Sequence, residues 1–172
     1  MTKNHLKRST APKTWKVERK TQPFVTKPNP GAHSYDLCVS ISTFFKQYTG
    51  LTTTTNETTY IISEETVEIN GREIDDNAHQ VGFLDVVDIP HADNYFLVSV
   101  NNKVQLKPVE HDEPIKERFD KITGKRTVTG GRTEYTTLNG ETFLLDDDTH
   151  STDSTIRFTK AQKSIKNVYG FE

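Results

Sequence analysis

One cysteine, one tryptophan and one methionine occur in 172 residues, and only 32% of the chain is hydrophobic against 27% charged. With Cys38 alone, neither an internal disulfide nor a paired-cysteine zinc site is available. No run of about 18 apolar residues occurs, so no transmembrane helix is expected. No apolar stretch follows the basic N-terminus, which argues against a secretory signal. Mean hydropathy is −0.71, near the polar edge of chains that still fold, so the core must be small. A phosphate loop of the form G-x-x-x-x-G-K-[ST], an H-x-x-x-H spacing and a nucleophile–base set are all missing. The chain therefore reads as cytosolic and non-enzymatic, with no cofactor and no membrane partner.

Charge is plentiful, but unevenly placed. Residues 1–33 hold eight Lys/Arg (Lys3, Lys7, Arg8, Lys13, Lys16, Arg19, Lys20 and Lys27) and one acid, Glu18. The other 139 residues hold 14 basic and 23 acidic ones, so a formal net charge of −2 conceals +7 beside −9. Leu6, Trp15 and Val17 are too sparse to form an apolar face, and Pro12, Pro23, Pro28 and Pro30 bias the backbone toward extended geometry. Such an arm reaches up to roughly 100 Å. Lysines and arginines laid on phosphates release counterions, and Trp15, Phe24, His5 and His33 are of the types that stack on unpaired bases. Residues 1–37 are expected to form an extended, polyphosphate-binding arm, and deleting residues 1–33 is expected to abolish affinity for RNA while the remainder stays folded.

Residues 38–101 read as a small α+β domain. Cys38, Val39, Ile41, Phe44, Phe45 and Tyr48 suit one helical face, and Gly50 is a helix stop. The run "TTTTNETTYIISEE" offers N-cap candidates for a second helix. In "TVEINGREI", Asn70-Gly71 between alternating apolar residues is a strong hairpin signal. "VGFLDVVDI" reads as a further strand, and "YFLVSV" and "KVQL" as a pair around Asn101-Asn102. Over residues 102–172, turn signals at Thr123-Gly124, Gly130-Gly131 and Asn139-Gly140 separate short β-prone runs, which predicts a small antiparallel β domain. The fold class is α+β, mostly β.

The order helix, helix, "VEINGREI", "VGFLDVVDI" resembles the S-four-type RNA-binding domain. The preceding "HLKR", "APKTW", "VERK" and "KPNPGAH" resemble, in order, the small-subunit ribosomal protein S-four-e family of archaea and eukaryotes. The resemblance is strongest over residues 4–100 and stays collinear to residue 172, with an archaeal flavour. It implies a structural constituent of the small ribosomal subunit, bound to small-subunit rRNA beside neighbouring ribosomal proteins and forming no homo-oligomer. A free RNA-binding module in RNA processing is the alternative. The family continues into a glycine-rich KOW-type module, and this chain stops at "VYGFE", about where that module begins. The family's second helix presents basic residues to RNA. Here the matching stretch has no Lys or Arg and carries Glu57, Glu64 and Glu65, so the arm is expected to supply most of the affinity.

Beyond the arm, Lys46, Arg72 and the hairpin cations Lys125, Arg126 and Arg132 complete the candidate RNA-binding set. Asp146, Asp147, Asp148, His150 and Asp153 cluster without cation-loop spacing and read as a solvated turn. His111 in "VEHDEP" reads as part of a charged linker.

Overall fold

The computed structural model describes residues 5–18, 20–146, 150–159 and 165–170. The chain folds as two compact units, Met1–Ile115 and Lys116–Glu172. This differs from the three-part division expected from the sequence. The N-terminal segment belongs to the first unit, and the strand that follows Asn102 completes that unit's sheet.

In the first unit, β1 (His5–Lys7) and β2 (Phe24–Thr26) pair as an antiparallel ribbon. β3 (Cys38–Ser40) then leads into α1 (Ile41–Thr43), which runs on as a wide π-helical turn over Phe44–Thr49 and stops at Gly50, φ 73°. The helix expected from Cys38 thus begins three residues later. Cys38, Val39 and Ser40 are fully buried, so the run shows no one-sided periodicity by which strand and helix can be told apart. Ser40 caps the turn, its Oγ accepting the Thr43 N–H at 3.2 Å.

α2 (Thr55–Glu64) opens on a reciprocal capping box between Thr54 and Glu57. β4 (Glu68–Ile69) and β5 (Arg72–Glu73) form the hairpin forecast by Asn70-Gly71, with φ of 58° and 78° at its tip. The run "VGFLDVVDI" is not one strand. It divides into β6 (Gln80–Gly82), paired with β3, and β7 (Val86–Ile89). The break is chemical: the Asp85 carboxylate turns back to accept the Gly82 N–H at 2.8 Å, and Leu84 takes a left-handed φ of 65°. β8 (Asn94–Val100) and β9 (Leu106–His111) close a five-stranded sheet in the order β5-β4-β7-β8-β9. His111, expected in a linker, ends β9 opposite Tyr95.

The core of this unit joins Ile41, Phe44, Phe45, Val67, Val87, Ile89 and Phe96 with three residues of the N-terminal segment, Ala11, Trp15 and Val25. Trp15 is 4% exposed and stands 5.6 Å from the Tyr35 ring. The Lys16 N–H donates to the Tyr48 hydroxyl at 2.8 Å. The expectation that residues 1–33 can be removed without harm is therefore corrected, because they supply part of the core. An isolated indole among charged residues carries no periodic signal, yet burying it stabilises by more than most single side chains.

The second unit is one antiparallel sheet, ordered β12-β11-β10-β13-β14, of β10 (Glu117–Thr127), β11 (Thr133–Thr137), β12 (Thr142–Leu145), β13 (Thr155–Thr159) and β14 (Ile165–Tyr169). Gly130-Gly131 and Asn139-Gly140 make the expected turns. Thr123-Gly124 does not: it lies inside β10, where the register with β11 shifts between Ile122 and Gly124, a bulge rather than a reversal. Ile122, Tyr135, Phe143, Ile156 and Phe158 fill its core.

Two outcomes test the packing of the first unit. Trp15→Ala is expected to lower its stability by about 3–5 kcal/mol, read from a denaturant midpoint by circular dichroism. The second concerns pH. Burial pushes the Tyr48 hydroxyl up to about 12 and the Cys38 thiol up to about 11, so both hold their protons more tightly when folded. Their contribution is complete below pH about 9 and is lost as pH climbs through about 11–12. The midpoint followed by the fluorescence of Trp15, the single tryptophan, is expected to fall over that window. Tyr48→Phe is expected to flatten the upper part of the decline.

Candidate nucleic-acid interface

The loop of the N-terminal segment is organised by Arg8. Arg8 is 4% exposed and donates to the carbonyls of Glu18 (2.7 Å) and Phe24 (3.2 Å) and to Thr21 Oγ1 (2.7 Å). Its guanidinium thus organises the loop that returns to β2, and it is a structural cation rather than the RNA-binding one expected. Trp15 is likewise withdrawn from any stacking role. His33 is the third correction. Its Nε2 lies 2.7 Å from Asp85 Oδ2, and Asp85 Oδ1 accepts from Asn70 Nδ2 at 2.7 Å. A Cβ built on Gly82 would stand 2.3 Å from the His33 ring, so glycine there is what admits the imidazole.

With those residues turned inward, five lysines of the segment remain exposed. Lys7, Lys13, Lys16, Lys20 and Lys27 are exposed, and none joins an ion pair found among the described residues. The ribbon register places Leu6 opposite Val25 and Lys7 opposite Phe24. Residues directly opposite share a face, so one face of the ribbon sends Leu6 and Val25 to the core. The other presents His5, Lys7 and Phe24. The His5 and Phe24 rings meet edge to face at 4.9 Å, and Phe24 is 46% exposed. Phe24, not Trp15, is the segment's available aromatic. Lys3 and Arg19 lie outside the described residues.

The remaining candidates are dispersed. Lys46 is half-buried and donates to Thr55 Oγ1 at 3.0 Å, and burial, with Arg8 nearby, pushes its pKa down. Arg72 is exposed on the β4–β5 hairpin. In the second unit, Lys125 donates to the His150 carbonyl, Arg126 pairs with Glu134 at 2.8 Å and Arg132 with Asp146 at 3.0 Å. The exposed side of α2 carries Asn56, Thr59, Tyr60, Ser63 and Glu64. Glu57 is spent on the cap, where hydrogen bonds from Thr53 hold its pKa below the usual range. No group of three or more His, Cys, Asp or Glu among the described residues is placed to hold a metal ion. Asp147 and Asp148 fall outside those residues.

Comparison with known proteins finds relatives over most of the chain. Residues 2–36 match the RS4NT (NUC023) domain. The small ribosomal subunit protein eS4 of Nanoarchaeum equitans is 35% identical over 84% of this chain and 62% of its own length. That of Halobacterium salinarum is 32% identical over 86% and 64%. The chain thus spans somewhat less than two thirds of the length of these relatives. In fold, the 30S ribosomal protein S4e from Thermoplasma acidophilum superposes with a TM-score of 0.67 at 21% identity, over 80% of this chain and 71% of that one. With the ordered N-terminal motifs, these matches show a chain similar over most of its length to eS4 proteins, the S-four-e family that the sequence resembles.

Proposed function

We propose that the chain is a non-enzymatic constituent of the cytoplasmic small ribosomal subunit that binds small-subunit rRNA chiefly through its N-terminal surface. The observation that carries this reading is the exposed set Lys7, Lys13, Lys16, Lys20 and Lys27 beside the His5–Phe24 pair. The relatives' names, small ribosomal subunit protein eS4, supply the partner class. Neighbouring ribosomal proteins would meet the acidic faces.

The mechanism is electrostatic positioning. Each lysine laid against a phosphate releases condensed counterions. Phe24, with His5 against its edge, offers an aromatic surface to an unpaired base. Because Trp15 already fixes this segment on the core and Arg8 ties its loop together, most of its ordering entropy is spent in folding and does not oppose binding.

Substitution, not truncation, tests this. Replacing all five lysines by glutamine is expected to leave the folded first unit intact. It should reduce the log–log salt slope of binding to small-subunit rRNA by about 4, at 0.7–0.9 per phosphate contact. A slope that stays at its wild-type value would place the contacts elsewhere. Phe24→Ala is expected to weaken binding by about 1–3 kcal/mol while changing stability by less than about 1 kcal/mol. Co-sedimentation with small subunits through a moderate-salt gradient separates the ribosomal reading from a free RNA binder, which would remain at the top.

A further inference from the structure

Residues 34–115 carry only four Lys/Arg, namely Lys46, Arg72, Lys103 and Lys107, against fourteen Asp/Glu. Two of those four cations meet at one place. The hairpin that joins β8 to β9 bounds an open groove of about 540 Å³, whose lining includes Asn101, Asn102, Lys103, Gln105, Lys107 and Val109 and none of the fourteen carboxylates. Both lysines are exposed, and neither joins an ion pair found among the described residues. Strand alternation puts Lys107 and Val109 on one face of β9 and Glu110 on the other, so the nearest acid in sequence points away.

The groove is also held in shape before anything binds. Asn101 Oδ1 accepts the N–H groups of Lys103 (3.0 Å) and Gln105 (2.9 Å). Asn101 N–H donates to the Gln105 carbonyl at 2.9 Å. Val104 sits at the tip with φ 57° and its side chain 54% exposed, a conformation a β-branched residue adopts only when its surroundings impose it.

We propose that this groove is a second RNA-backbone site. Lys103 and Lys107 would neutralise successive phosphates, and the amides of Asn101, Asn102 and Gln105 would hydrogen-bond phosphate or ribose hydroxyl oxygens. The proposal rests on the rRNA-binding reading above. It locates a contact in a region where the rest of the surface repels nucleic acid, so the strand is confined to the groove rather than spread along the sheet.

The test uses the full chain and in-vitro-transcribed small-subunit rRNA. Lys103→Gln with Lys107→Gln is expected to leave the denaturant midpoint unchanged and to reduce the salt slope by about 1.4–1.8. Lys103→Arg with Lys107→Arg is expected to keep the full slope. If the glutamine pair retains the wild-type slope while the five-lysine variant of the N-terminal surface loses its own, the groove serves an acidic protein partner or none, and the inference is overturned with the rRNA reading intact. If wild-type binding is itself independent of salt, the reading falls and the groove with it.

Discussion

The burial of Trp15 in the core of the first unit is the contact on which the rest depends. It sits among the residues that also bury Phe44, Phe45 and Phe96, and it converts a basic segment with no apolar face of its own into a fixed surface. Segment and body carry opposite charge: +7 over residues 1–33 and −10 over residues 34–115. Attraction between them holds the segment near, but exposed charges are screened within about 8–10 Å, and the described ion pairs include none of its five exposed lysines. Packing therefore does the placing. The five lysines stay exposed, and on the proposed reading they are the groups that meet phosphate.

A second consequence concerns polar groups that the sequence offers as ligands. Arg8 and His33 are chemically suited to RNA, yet each is consumed indoors, Arg8 by the carbonyls of its own loop and His33 by Asp85. A buried guanidinium or carboxylate is costly unless its hydrogen bonds are met. Once these groups are enclosed, their partners are dictated: Asp85 takes the Gly82 N–H, Asn70 and His33 together. That one carboxylate joins the N-terminal segment, the β4–β5 turn and the break between β6 and β7. The same residue types that signal function when exposed become structural ties when enclosed.

What could be read from the sequence follows the range of the interaction responsible. Local chemistry was legible. Gly50, the Asn70-Gly71 hairpin, the Thr-rich opening of α2 and the turns at Gly130-Gly131 and Asn139-Gly140 are decided within a few residues, whereas Thr123-Gly124 is drawn into β10 by its pairing with β11. The family resemblance was legible from ordered motifs. Contacts across the chain were not. Nothing near Trp15 announces a core position, nothing near His33 points to an aspartate 52 residues away, and Cys38–Ser40 is strand only because Gln80–Gly82 lies beside it. The site was accordingly half visible: the charge of the segment was plain, but which cations and which aromatic face outward depended on tertiary packing.

The acidic remainder of the first unit then has a physical role of its own. A uniformly basic protein binds nucleic acid in many orientations. On the proposed rRNA-binding reading, the carboxylates over much of the first unit repel a polyanion that docks away from the lysine-bearing segment. The exposed side of α2 carries no basic residue. A Thr, Asn and Tyr surface ending in Glu64 still forms hydrogen bonds, but it releases no counterions and so cannot compete with the lysine-bearing faces for phosphate. A formal net charge of −2 is thus the sum of a basic N-terminal segment and an acidic remainder, and on the proposed reading the second sharpens the placing of the first.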